Sequence, residues 1–141
     1  MTSADPTLRA QITAHEGVRT HLYADTVGKQ SIGVGRNITD VGLRDDEIQY
    51  LLTNDLNAAI ADLEEYFWFH GLDAVRQRVL IDMRFQLGAA GLRAFSLFLA
   101  AVGRGDYERA SKEMGRSQWA TQVPSRARAL AVMMRTGQDE G

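Results

Sequence analysis

Between residues 44 and 67, apolar side chains return at three- and four-residue steps. Ile48, Leu51, Leu52, Leu56, Ala59, Ile60, Leu63 and Phe67 form one stripe, which predicts a single amphipathic helix. Asp45, Asp46 and Glu47 suit its positive N-terminus. At ~1.5 Å per residue it would span roughly 35 Å, long enough to link two lobes. The stretch LDAVRQRVLIDMRFQLGAAG has another pattern. Val75, Val79, Leu80, Ile81, Met83, Phe85 and Leu87 leave little polar face, as expected of the buried helix of an all-α lobe. Shorter helices are predicted at about 94–103, 106–114 and 124–136, with a turn near 117–121. Asp106 and Ser117 are placed as caps, Pro124 as a first-turn residue and Gly137 as a stop.

The N-terminal part reads differently. Asp5 can cap a first helix, Pro6 suits its first position and Gly17 its end. In residues 18–38, Gly28, Gly33 and Gly35 alternate with the β-formers Tyr23, Val27, Ile32 and Val34, which predicts a small antiparallel sheet. The expected fold is α+β and mainly α. One domain, 1–141, would hold a small β-containing N-terminal lobe (about 18–43), a larger helical lobe (1–17 and 68–141) and a connecting helix (44–67). A cleft between lobes is the expected place for a ligand.

Composition narrows the function classes. The chain has 141 residues, 45% hydrophobic and 24% charged, enough for a real core. It has no cysteine, which removes disulfides and Cys-based metal or nucleophile sites. The start MTSADPTLRAQITAHEG lacks a basic and an apolar signal region, and FSLFLAAVG is too short to cross a membrane. A soluble protein that needs outside help to leave the cytosol is expected. Net charge is −2, but residues 1–70 carry 5 Lys/Arg against 11 Asp/Glu, and residues 71–141 carry 11 against 7. Such asymmetry can attract an anionic ligand to one side, or reflect ordinary solvated faces. SRARAL is too short, and too poor in aromatics, for a nucleic-acid stripe.

The sharpest chemical signal is Glu16, a carboxylate at a helix C-terminus, where the macrodipole disfavours its charge. Nearby carbonyls, and burial if present, would favour the protonated form that a general acid needs. A plain surface glutamate has equal standing. Asp25, nine residues on in ADTVGK, could be an ionised partner or simply a turn residue. Two carboxylates in opposed environments are what glycoside hydrolysis requires. Gly33 and Gly35 could admit a substrate close to the backbone or mark a bulge. His15, His21 and His70 lack metal-ligand spacing, so neither a metal nor another cofactor is expected.

Four segments, in order and at compatible spacing, resemble the T-even-type phage lysozymes, a glycoside hydrolase family. HEGVRTHLYADTVGKQSIGVG is similar to the family's catalytic segment, with its E-G, Y-x-D-T-x-G and I-G-x-G landmarks. LTNDLNAAIADL resembles the end of the inter-lobe helix, and LDAVRQRVLIDMRFQLGAAGLRAF the buried helix and its sequel. SQWATQVPSRARALAVMMRTG resembles the closing W-x-x-Q-x-P-x-R and R-T-G elements. The resemblance implies a lysozyme-like fold and hydrolysis of the β-1,4 bond between N-acetylmuramic acid and N-acetylglucosamine in bacterial peptidoglycan. Glu16 matches the general acid, Asp25 the second catalytic carboxylate and Ser31 the hydroxyl that helps place water, where the family has Thr. Gly35, Phe85, Gln86, Trp119, Gln122 and Arg126 match cleft or substrate-binding positions, with Arg126 resembling the arginine that pairs with the acid.

There are departures. Arg36 stands where the family often has His, and Asp82 where close relatives have Asn. The segment between Gly35 and the long helix is shorter, and the chain stops soon after RTG. The implied setting is a phage or prophage endolysin, monomeric by default, held in the host cytoplasm until a holin gives access to the wall. A virion-associated lysozyme is its rival. The alternatives in chemistry are a lytic transglycosylase, which would use the sugar's 6-hydroxyl instead of water, and a non-catalytic wall-binding virion module.

Overall fold

The computed structural model describes residues 1–139. It is mainly helical, with one small three-stranded antiparallel sheet, in keeping with the lysozyme-like α+β class. The chain falls into two compact units, Met1–Tyr50 and from Leu51 onward.

The first unit opens with α1, Pro6–Glu16. Asp5 caps it, accepting a 2.8 Å bond from the Leu8 amide, and Pro6 occupies the first turn. The sheet follows in the order β1 (Arg19–Ala24), β2 (Gln30–Gly33), β3 (Arg36–Asn37). Tyr23 is opposite Ser31, and Ser31 opposite Asn37, so Ser31 sits on the central strand. This unit holds α1 together with the sheet, where the sequence had set residues 1–17 beside the helical region.

The long helix α2 runs over Asp45–Glu64, and the division between units falls within it. It ends three residues earlier than the apolar stripe suggested. Tyr66 and Trp68 stack at 5.1 Å between ring centres. Residues two apart point to different sides of a helix, so this stack requires the helix to have ended. Phe67, counted in the stripe, is 94% exposed.

The second unit continues with a 3₁₀ turn at Phe69–Gly71 and α3, Ala74–Arg93. Four shorter helices complete it: α4 (Ser96–Gly103), α5 (Tyr107–Gly115), α6 (Gln118–Gln122) and α7 (Pro124–Thr136). Asp106 and Ser117 cap α5 and α6 as expected, and Gly137 stops α7 in the left-handed region at φ 69°. Two features were not foreseen. Asp73 caps α3, accepting from the Arg76 amide, and Gly88 (φ 77°, ψ 169°) interrupts that helix. The core lies among these helices: Leu63, Leu80, Met83, Leu92, Phe98, Val102, Met114 and Met134 are all but inaccessible.

Candidate active site

Glu16 is the last residue of α1. Gly17 ends the helix at φ 76°, with its N–H bonded to the Thr13 carbonyl at 2.8 Å. Glu16 is exposed rather than buried. Its carboxyl nevertheless has a defined place. A side chain at Gly35 would put Cβ 2.8 Å from Glu16 Cδ and 3.1 Å from Cγ. The carboxyl therefore lies against the backbone of the loop that follows the Ser31 strand.

Asp25 follows β1 and opens the turn to β2. Its Oδ1 accepts the amides of Val27 (2.9 Å) and Lys29 (2.8 Å), and its own N–H bonds to the Lys29 carbonyl. The turn reading is thus correct for one carboxylate oxygen. The other, Oδ2, accepts no hydrogen bond among the described residues, so the residue keeps an acceptor to spare. The adjacent cation is engaged elsewhere: Lys29 Nζ pairs with Asp40 at 3.1 Å.

Ser31 is the one buried polar residue among those described, 4% exposed. Its hydroxyl appears in none of the described hydrogen bonds, yet no buried side-chain polar atom is without a partner. Ser31 thus brings a hydroxyl to the central strand without committing it to another side chain or backbone group among the described residues.

Arg36, which follows Gly35, makes an ion pair of its own. Its guanidinium meets both Glu47 oxygens, at 2.8 and 2.7 Å, and donates to the Gly42 carbonyl. Glu47 also accepts the Arg44 amide. Hydrogen bonding to Arg36, with help from the Arg44 amide, holds the Glu47 carboxyl down at about 2.

In the second unit, Asp82, Phe85 and Gln86 are spaced to share one face of α3. Asp82, for which the sequence offered no account, accepts from Arg126 Nε at 2.7 Å and so joins α3 to α7. The spacing i, i+3, i+4 puts Asp82 on the same face as Phe85 and Gln86 but does not point to Arg126. Gln86 Oε1 accepts from Trp119 Nε1 at 2.8 Å. The Trp119 ring itself is buried, edge-on to Phe95, and so it orients Gln86 more than it offers a face to a ligand. Phe85 and Gln122 are exposed. Trp119 and Gln122 also border a groove of about 420 Å³ floored by Leu87, Phe95 and Phe98, with Glu113 and Arg116 among its polar groups. Among the described residues, no three His, Asp or Glu side chains converge as metal ligands.

Residues 13–135 match the family described as phage lysozyme. The chain is 26% identical to "Probable T4-type lysozyme 1" of Dictyostelium discoideum, over 86% of this chain and 89% of that protein. It is 25% identical to "Probable T4-type lysozyme 2" of the same organism, over 92% and 94% respectively. It is 28% identical to the "Pre-baseplate central spike protein Gp5" of Enterobacteria phage T4, over 86% of this chain but 26% of that protein.

Proposed function

This chain belongs to the phage lysozyme family, and from that premise we propose that it is a muramidase that cleaves the β-1,4 bond between N-acetylmuramic acid and N-acetylglucosamine. Family membership supports the coarser statement directly: a muramidase-like peptidoglycan hydrolase. One observation carries the finer one. Glu16, Asp25 and Ser31 lie in a single compact unit, with the Glu16 carboxyl against the loop that closes the Ser31 strand.

In this reading Glu16 protonates the glycosidic oxygen as the bond breaks. The free Oδ2 of Asp25 and the Ser31 hydroxyl hold a water for attack at the anomeric carbon, and the Asp25 charge steadies oxocarbenium character. A water placed opposite the acid gives inversion. Gly35, Phe85, Gln86, Trp119, Gln122 and Arg126 serve binding, Trp119 through Gln86. The unused oxygen of Asp25 favours water over an intramolecular sugar hydroxyl, and hence a hydrolase over a lytic transglycosylase.

Digestion of purified peptidoglycan by wild type and Glu16→Gln, with mass spectrometry of the fragments, tests this. Loss of an acid catalyst should lower the rate by about 10²–10⁴-fold while the variant stays folded. Products should end in reducing sugars. Near-wild-type lysis by Glu16→Gln removes the assignment, and 1,6-anhydro ends would mean a transglycosylase.

For the setting, we propose an endolysin that acts as a monomer and reaches the wall from the host cytoplasm through a holin. The likeness to a central spike protein favours a second reading, a virion-associated lysozyme. Expression in a bacterial host separates them. An endolysin lyses cells only when a holin is co-expressed, whereas a virion component is found in purified particles.

A further inference from the structure

Gly35 has so far counted as a residue that lines a binding site. The space its side chain would fill is already taken. A methyl group built there meets the Glu16 carboxyl, with Cδ at 2.8 Å and Cγ at 3.1 Å. Gly17, Gly28, Gly33 and Gly42, the other glycines of this unit at positive φ, have nothing within 4 Å of the same position. A positive φ is common to all five. The close approach of a carboxylate belongs to Gly35 alone.

Glu16 needs such a seat. It ends a helix, it is exposed, and no hydrogen bond or ion pair within the first unit fixes its carboxyl. A free glutamate side chain samples several rotamers, whereas an acid must be in one place when the bond breaks. The seat is itself anchored. The next residue, Arg36, is clamped to Glu47 through both terminal guanidinium nitrogens, and to the Gly42 carbonyl through Nη1. Glu47 in turn holds the Arg44 amide at the start of α2.

We propose that Gly35 is a positioning residue for the general acid: its missing side chain is the seat that holds the Glu16 carboxyl in its working rotamer. The proposal rests on the reading of Glu16 as the acid, and the test keeps the two apart. Gly35→Ala adds a methyl group and left-handed strain. Gly105→Ala (φ 78°), between α4 and α5 of the second unit, also puts a side chain at positive φ but with open space around it, and serves as the control. Both variants are compared with wild type by carbon-13 NMR of the Glu16 carboxyl, by kcat and KM on soluble peptidoglycan, and by thermal midpoint.

In Gly35→Ala the flexible carboxyl should rotate away. Its resonance should move, kcat should fall by about 10²-fold, and KM should change little. Gly105→Ala should keep the resonance and kcat whatever it costs in midpoint. An unmoved Glu16 resonance in Gly35→Ala overturns the seat and leaves the acid assignment to Glu16→Gln. An equal loss of kcat in Gly105→Ala also overturns it, because a side chain at any positive-φ glycine would then explain the effect. A moved resonance with kcat intact overturns positioning and counts against Glu16 as the acid.

Discussion

One carboxylate oxygen of Asp25 is committed to two backbone amides, and the other is not. This division makes the turn residue and the candidate catalytic residue the same group, and it allows the two roles to be separated by mutation. Asn keeps an oxygen that can accept both amides but carries no charge. Asp25→Asn is therefore expected to hold its thermal midpoint within a few degrees of wild type while kcat/KM falls by about 10²-fold or more. Asp25→Ala should lose both. If Asn unfolds the first unit, or retains activity, the division of labour is wrong. Glu16 and Asp25 were legible in the sequence because each breaks or obeys a local rule: a carboxylate at the wrong helix end, an aspartate in turn chemistry. Two contacts were not legible. Glu16 against Gly35 and Arg126 on Asp82 join residues far apart in the chain, and local rules say nothing of such pairs.

Elements were easiest to read where side chains cap their own helix. Asp5, Asp106 and Ser117 each accept the amide three residues on, as their positions foretold. Reading failed where a helix ended or bent against its apolar pattern. α2 stops at Glu64, short of Phe67, with Tyr66 and Trp68 stacked beyond its end, and Gly88, with φ 77°, interrupts α3 directly after Leu87, the last position of its apolar pattern. The join between β3 and the start of α2 is another such element, made by Arg36, Glu47 and the Arg44 amide. Its acid behaviour follows from the sign of the shift. Glu47 titrates at about 2 in the fold against an ordinary 4.5. A carboxyl depressed by folding adds stability that is fully present above the unfolded value and is lost as pH falls through the folded one. The difference in thermal midpoint between wild type and Glu47→Gln should be constant above pH 4.5 and shrink as pH falls from 4.5 towards 2. A pH-independent difference would show that the pair contributes no charge-dependent stability.

Across the whole molecule, burial is unevenly shared. Every buried hydrophobic residue among those described lies between Ala59 and Met134, in the second unit. The first unit, which carries the proposed catalytic residues, buries Ser31 and depends on strand pairing, the Asp25 turn and the Arg36–Glu47 clamp. Burial of apolar surface is the dominant favourable term in folding, so opening of the first unit should cost less than global unfolding. Native-state hydrogen exchange in urea is the measurement. Amides of β1, β2 and β3 should exchange through a smaller opening, with weaker urea dependence, than those of α3, α5 and α7. Leu80→Ala, at a fully buried site in α3, should lower the protection of the helical amides by about 2–5 kcal/mol. It should leave the strand amides almost unchanged for as long as global unfolding remains the costlier event. If the strands lose protection in step with the helices, the two units open together, and the proposed catalytic groups are held by the core of the second unit rather than by the polar contacts of the first.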